Sequence, residues 1–142
     1  MTNNLLVLQS DFGLVDGAVS AMIGVALQEE PSLGVHHLTH DITPYNTFEA
    51  SYRLFQTVEY WPKGTTFVSV VDPGVGSSRK SVVALTKTGQ YIVTPDNGTL
   101  SYRRMSVSLL PVKFQKLRIV VVIRSCLIPS MVVMFMPIQV PN

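Results

Sequence analysis

Residues 5–28 read LLVLQSDFGLVDGAVSAMIGVALQ, a stretch in which a short apolar run passes into a longer amphipathic one. Leu5 to Gln9 form a short apolar run that ends in Ser10-Asp11-Phe12-Gly13, a pattern typical of a buried strand followed by a turn. From Asp16 onward apolar residues recur at helical spacing, and Pro31 marks the end of that pattern. The stretch therefore predicts a strand, a turn and a helix in direct succession.

The same alternation continues along the chain. Apolar patterns predict a strand, a helix and three further strands, in that order, at Val35–Leu38, Thr47–Trp61, Thr66–Val71, Ser81–Leu85 and Tyr91–Thr94. The last two strands are expected to pair, because only a short turn containing Gly89 separates them. Strands that alternate with helices predict an α/β fold in which helices flank a largely parallel sheet.

The composition is that of a globular protein with little net charge. The 142 residues carry a formal net charge of +2 and one cysteine, Cys126, which excludes an internal disulfide framework. No secretory signal pattern precedes the first apolar run, so we expect a cytoplasmic protein. Basic residues are scattered, which argues against a nucleic-acid partner. Arg118, Arg124 and Pro129 interrupt the apolar C-terminal residues, so we expect no membrane partner.

Two predicted strands end in sequences that suit ligand binding. Ligands of open α/β sheets collect beyond the carboxyl ends of the strands, which here carry Asp11 and the segment Asp72-Pro73-Gly74. The sequence VVDPGVGSSRK, from Val70 to Lys80, resembles a phosphate loop, but Arg79 stands where that motif requires its second glycine. The alternative interpretation is a tight turn with a surface pair of Asp72 and Arg79. Both interpretations remain open at this point.

The histidines do not predict a metal site. His37 and His40 lie three residues apart in a strand and turn, so their side chains are expected to point in different directions. A catalytic zinc normally needs three protein ligands, and we expect structural histidines instead. Tyr45, after Thr43-Pro44, and Asn97, in Pro95-Asp96-Asn97-Gly98, would by default be turn residues.

Four motifs in order resemble one enzyme family. The segments SDFGLVDGAV, HDITPYN, FVSVVDPGVGSSRKSV and TPDNGTLSY are similar to those of the S-adenosyl-L-methionine (SAM) hydroxide adenosyltransferases, and they cover residues 1 to about 102. The resemblance implies hydrolysis of SAM to adenosine and methionine, with SAM as substrate and no cofactor. It also implies an N-terminal α/β domain, a C-terminal β-barrel-like domain, and homotrimers whose active sites lie between neighbouring subunits.

The resemblance also implies roles for individual residues. Asp11 would accept hydrogen bonds from the ribose hydroxyls, and Tyr45 would stack in the substrate pocket. Asp72 and Arg79 would be catalytic, orienting water for attack at the ribose C5′ carbon together with a histidine from a later motif. Further substrate contacts would come from Phe12, Pro73, Gly74 and Asn97.

The later motif, S-Y-T-F-H-G-R-D-V, is absent from the chain as written. It can, however, be recovered when the codons of the C-terminal residues are read in a different frame. Because methionine has one codon, a reading shifted by one base forces Gly, Val and Ala at Met131-Val132, Met134-Phe135 and Met136-Pro137. Permitted codons from Ile128 to Pro141 then spell T-F-H-G-R-D-V-Y-A-Y-T-G-A, which contains the missing histidine. The sequence therefore predicts a frame slip near Tyr102.

The frame slip sets the expected domains and activity. Residues 1–102 would be the N-terminal α/β domain, and residues 103–142 an out-of-frame tail without a native domain, so that the C-terminal domain is missing. We expect the chain as written to be inactive. The alternatives are a relative that uses SAM for halogenation, and a non-catalytic fragment that binds adenosine or another nucleoside.

Overall fold

A computed structural model of the chain describes residues 3–73 and 81–102 and the strand segments at 107–109, 120–121 and 134–135. Two helices, α1 (Ala18–Glu29) and α2 (Thr47–Thr57), accompany one main sheet. The strands of that sheet are β1 (Leu5–Ser10), β2 (Gly34–Thr39), β3 (Thr66–Val70), β4 (Ser81–Thr86), β5 (Tyr91–Pro95) and β6 (Val107–Leu109). A separate antiparallel pair joins β7 (Val120–Val121) to β8 (Met134–Phe135).

The main sheet has six strands in the order β2-β1-β3-β5-β4-β6. The pairs β1–β2, β1–β3 and β3–β5 are parallel, whereas β4 runs antiparallel to β5 and β6. The predicted α/β fold with a largely parallel sheet and flanking helices is confirmed. The strand pair predicted around Gly89 is likewise confirmed as the β4–β5 hairpin.

The two helices pack on opposite faces of the sheet. Side chains of a strand alternate between its faces, so Leu6 and Leu8 of β1 join a core cluster with Met22 of α1. Val7 joins the opposite cluster with Leu54 of α2. This arrangement buries β1 on both sides, which explains why its sequence is almost continuously apolar.

Helix α2 begins at a capped end and finishes earlier than predicted. The side chain of Asn46 accepts a 2.9 Å hydrogen bond from the backbone N–H of Glu49, which satisfies one of the free donors of the first turn. The sequence predicts a helix to Trp61, but α2 ends at Thr57 and a 3-10 turn follows at Val58–Tyr60. The tighter turn is closed by the N–H of Trp61 donating to the Val58 carbonyl at 3.2 Å.

No helix among the described residues has the length and the apolar character that a membrane crossing requires. Most of the predicted out-of-frame tail, residues 103–142, lies outside the described residues.

Candidate active site

The carboxyl ends of β1 and β3 form one edge of the sheet, where the predicted site residues meet. The partners Ser10 and Val70 are the last residues of these adjacent parallel strands. Asp11 follows β1 immediately, and Asp72 follows β3 after one intervening residue. The chain leaves β1 for β2 on one side and then crosses to β3 on the other, so this edge is a topological switch point. It is the position where open α/β sheets bind ligands.

Asp11 is hydrogen-bonded to the loop that follows β2. One of its carboxylate oxygens, Oδ2, accepts a 2.8 Å hydrogen bond from the backbone N–H of Tyr45. Asp11 is half-buried, while the Tyr45 side chain is 65% exposed. The structure therefore bonds a carboxylate to the backbone of a residue with an exposed aromatic side chain, although 34 positions separate the two residues in the sequence.

Tyr45 has a backbone conformation that few residues with a side chain adopt. Its φ is 65°, and among the described residues it is the one non-glycine with a positive φ. The residues Thr43 to Asn46 form a turn closed by a 2.9 Å hydrogen bond from the N–H of Asn46 to the carbonyl of Thr43. Backbone strain of this kind concentrates at functional sites, where surrounding contacts hold it in place.

His40 holds the loop that carries Asp11 from two directions. Its carbonyl accepts a 2.8 Å hydrogen bond from the N–H of Gly13, and its Nδ1 lies 2.6 Å from Ser10 Oγ. Ser10 Oγ also accepts a 3.3 Å hydrogen bond from the N–H of Phe12. The residues on both sides of Asp11 are thus fixed to the end of β2. Sequence reasoning missed this role of Ser10 and His40, although both lie in the quoted motifs.

The prediction that His37 and His40 point apart is wrong. Nδ1 of His37 lies 2.7 Å from Nε2 of His40, because β2 ends at Thr39 and the following bend turns the His40 ring back. Burial, followed by the nearby His37, lowers the pKa of His40 from 6.5 to about 4, while Asp41 acts in the opposite direction. His40 is therefore neutral at pH 7. Within the described residues, no three metal-ligating side chains form a group.

Asn97 lies at the end of β5 and is engaged within the protein. Its Nδ2 donates to the Val71 carbonyl at 2.7 Å, and its Oδ1 accepts hydrogen bonds from the N–H and hydroxyl of Thr99. These contacts tie the β5 loop to the end of β3, next to Asp72. A direct contact between Asn97 and substrate stays a prediction.

The other predicted site residues differ in burial, and two of them lie outside the described residues. Asp72 is half-buried and Pro73 is exposed, while the Phe12 side chain packs partly against the core cluster beside α1. Gly74 and Arg79 lie outside the described residues. The structure thus brings Asp11, Tyr45, Asp72 and Asn97 to one edge of the sheet, and it leaves the pairing of Asp72 with Arg79 a prediction.

Comparisons with known proteins give the family of the chain. The family model described as SAM hydroxide adenosyltransferase N-terminal domain matches residues 6–118. A protein named (R)-S-adenosyl-L-methionine hydrolase from Methanocaldococcus jannaschii is 38% identical over 70% of this chain and 39% of its own length. A fluorinase from an Actinoplanes species is 26% identical over 56% of this chain and 27% of its own.

The fold is also found in solved structures. The crystal structure of an uncharacterized conserved protein from Thermotoga maritima matches with a TM-score of 0.68 and 36% identity, covering 72% of this chain and 40% of that chain. This chain therefore spans about two fifths of the length of the hydrolase and of the solved structure.

Proposed function

Because the chain belongs to the SAM hydroxide adenosyltransferase family, we propose that its described residues form the N-terminal side of an active site that hydrolyses SAM to adenosine and methionine. The observation that carries this proposal is the pair of carboxylates, Asp11 and Asp72, at adjacent strand ends, with Tyr45 hydrogen-bonded to the first. The two carboxylates flank the switch point from neighbouring strands, so a small ligand seated there would lie within reach of both.

Asp11 and Tyr45 suit the nucleoside part of SAM. An ionised carboxylate has about four acceptor positions, so Asp11 retains capacity for ribose hydroxyls after accepting from the N–H of Tyr45. The exposed Tyr45 ring offers a flat apolar face on which a base or sugar can stack. Phe12, Pro73, Gly74 and Asn97 are proposed as further contacts around this ligand.

Asp72 and Arg79 are proposed to act at the reacting carbon. A water oxygen attacks C5′ of the ribose, the C5′–S bond breaks, and its electron pair remains on sulfur as the neutral thioether of methionine. The water loses one proton to solvent through the polar groups around it. Since the leaving group needs no protonation, the site must position and polarise water rather than supply a strong acid.

Hydrolysis is preferred to halogenation for this site. The hydrolase is more similar to this chain than the fluorinase is, and it aligns over more of the chain. The loop after β3 begins with Asp72, a carboxylate that suits the orientation of water and would repel a halide ion. We further propose that the active protein is a cytoplasmic homotrimer in which a neighbouring subunit completes each site.

The frame slip near Tyr102 is proposed as the reason why the histidine motif is absent from the chain as written. The family match extends past this point to residue 118, so the position of the slip needs a direct test. Sequencing the source DNA and restoring the frame by one base gives that test. A source sequence that encodes residues 103–142 as written would contradict the slip.

The frame-restored protein tests the proposed reaction. We expect equal amounts of adenosine and methionine from SAM, and Asp72→Asn should lower the rate by roughly 10²–10⁴-fold, as expected for a positioned polar group. Asp96→Asn, which changes an exposed carboxylate after β5, is the matched control. A folded, full-length protein that releases no adenosine would refute the proposal, and release of a 5′-halogenated nucleoside would favour the halogenase.

A second candidate function is that the 142-residue chain itself is a non-catalytic fragment that binds a nucleoside. Small-molecule pockets bury most of their ligand, and the described residues supply one side of such a pocket. Calorimetry of the chain with adenosine should show a Kd weaker than about 10 μM, near −7 kcal/mol. Tighter binding would show that the chain forms a complete pocket, and any SAM turnover by the chain would contradict its proposed inactivity.

A further inference from the structure

The turn from Thr43 to Asn46 has an unusual residue in its third position. Pro44 fixes a negative φ at the second position, and Tyr45 has a φ of 65° at the third. This combination belongs to a type II turn, in which the third position is normally glycine. A contact outside the turn must therefore favour this conformation of Tyr45 over the type I turn that an ordinary residue adopts.

Helix α2 fixes both ends of the turn, so that only the central peptide of the turn can change its orientation. Asn46 caps the helix through the N–H of Glu49, and Glu49 Oε2 accepts a 3.1 Å hydrogen bond from the N–H of Thr43. Type I and type II turns share these end positions and differ by a flip of the central peptide. The orientation of the Pro44–Tyr45 peptide is therefore the variable that decides where the Tyr45 side chain points.

Asp11 faces that peptide and distinguishes its two orientations. In the observed turn the peptide presents the N–H of Tyr45 to Asp11 Oδ2 at 2.8 Å. After a flip it would present the carbonyl oxygen of Pro44 to the same carboxylate, and two negative oxygens would face each other. The loop of Asp11 cannot easily retreat, because the Gly13 N–H and Ser10 are bonded to His40.

We propose that Asp11 is the positioning residue for Tyr45: its Oδ2 holds the turn in the type II conformation and keeps the aromatic ring directed into solvent at the strand edge, while Oδ1 remains for a ligand hydroxyl. The role of Oδ1 toward a ligand rests on the proposed function, whereas the role of Oδ2 toward Tyr45 does not. A substitution at Asp11 thus changes two parts of the site, the carboxylate and the orientation of the ring.

A double-mutant cycle on unfolding of the 142-residue chain tests this coupling without any nucleoside. Asp11→Ala should raise the unfolding equilibrium constant less than threefold when Tyr45 is present, because the turn is then free to relax to the unstrained type I form and recovers part of the lost hydrogen bond. In the Tyr45→Gly background the same change should raise it about tenfold, since glycine keeps the type II turn without strain and the whole hydrogen bond to Asp11 is lost. Asp11→Asn, which keeps an acceptor oxygen, should behave like the unchanged chain, and Asp96→Ala is the control for loss of a carboxylate.

Each outcome decides the proposal. An equal effect of Asp11→Ala in both backgrounds overturns it, as does an Asp11→Asn variant that is as unstable as Asp11→Ala in the Tyr45→Gly background. Failure of Asp11→Ala to fold also overturns it, because a turn that relaxes to type I should cost the chain little stability. Absence of SAM hydrolysis in the frame-restored protein, with the coupling intact, would refute the proposed function and leave the positioning role of Asp11 standing.

Discussion

At the scale of single residues, the strand edge is organised by side chains that bond to backbone. Asp11 and Asn97 each bond to a backbone group of another loop, Ser10 accepts from the N–H of Phe12 in its own loop, and His40 accepts from Gly13 through its own carbonyl. Such contacts fix loops without a hydrophobic core beneath them, because buried or half-buried backbone groups need partners. The side chains proposed to act in the site therefore also stabilise the loops around it.

Strain at Tyr45 can be measured by two substitutions that both remove the ring. Tyr45→Ala keeps the unfavourable positive φ, whereas Tyr45→Gly does not. We expect the glycine variant to be more stable than the alanine variant by about 1 kcal/mol. Urea denaturation of both variants gives the difference, and an alanine variant of equal or greater stability would contradict the strained conformation.

His40 should make folding stability depend on pH. Its pKa is about 4 in the folded protein and about 6.5 when exposed. Between these values the unfolded chain binds a proton that the folded chain does not, so stability is present above about pH 6.5 and is lost as the pH falls toward 4. The total loss from this group is about 3 kcal/mol.

The variant His40→Asn separates this contribution from other acid effects. Its stability should decline less between pH 6.5 and pH 4 than that of the unchanged chain, in denaturation curves measured at each pH. The control is His36→Asn, at an exposed position of β2. This variant should retain the steeper decline in stability, because His40 remains. Identical pH profiles for the His40→Asn variant and the unchanged chain would show that His40 is not held neutral by burial.

At the scale of elements, apolar patterns in the sequence determine where helices and strands lie, whereas glycines with a positive φ allow some of the turns between them. Gly89, in the β4–β5 hairpin, has a φ of 92°, and a Cβ atom there would lie 2.5 Å from Cγ of Lys63. Gly98, after β5, has a φ of 91°, but the nearest atom to its Cβ position is 3.9 Å away. The two glycines therefore share a backbone conformation that would strain a residue with a Cβ, and they differ in crowding.

We expect Gly89→Ala to destabilise the protein by more than Gly98→Ala. Both substitutions incur the cost of a left-handed residue, about 1–2 kcal/mol, and Gly89→Ala must also displace the Lys63 side chain. Gly24→Ala, in the middle of α1 with an ordinary φ and open space around it, should instead stabilise by about 0.5–1 kcal/mol. Thermal unfolding of the three variants gives the order, and an equal effect at positions 89 and 98 would mean that Lys63 yields freely.

At the scale of the whole molecule, the last residues before the predicted slip are part of the fold. The Tyr102 ring packs on the flank of α2, with its centroid 4.7 Å from that of Phe55 and 5.4 Å from that of Tyr52. Its N–H donates to Ser51 Oγ at 2.9 Å. Beyond it, β6 pairs with β4 and covers the edge of the sheet.

Truncation should therefore depend on where the chain is cut. Residues 120–123 and 132–136 are apolar, rich in valine and uncharged, a composition that favours aggregation. The sequence predicts better solubility for a chain cut after Ser101, and the packing of Tyr102 and β6 favours a cut after Leu110. We expect residues 1–110 to be more soluble than the full chain and more stable than residues 1–101. Lower solubility of residues 1–110 would show that the tail packs usefully.

The elements, and the residues that end them, can be predicted from the sequence alone. Apolar runs punctuated by Asp, Pro and Gly predict β1, α1, β2, α2 and β3 to within a few residues, because strand, helix and turn preferences act over short distances along the chain. The same punctuation identified Asp11 and Asp72 as strand-end residues. These assignments needed no knowledge of which strands are neighbours.

The contacts of those residues, in contrast, depend on how the strands are arranged in the folded chain. The strand order places β1 beside β3, and it brings the Tyr45 N–H to Asp11 and the ring of His40 to Ser10 and His37. Such contacts join residues that local preference treats independently, since they arise when core packing fixes the register of the whole sheet. The role of His40 was therefore invisible in the sequence, because it depends on a bend and a neighbour that exist only in the folded chain.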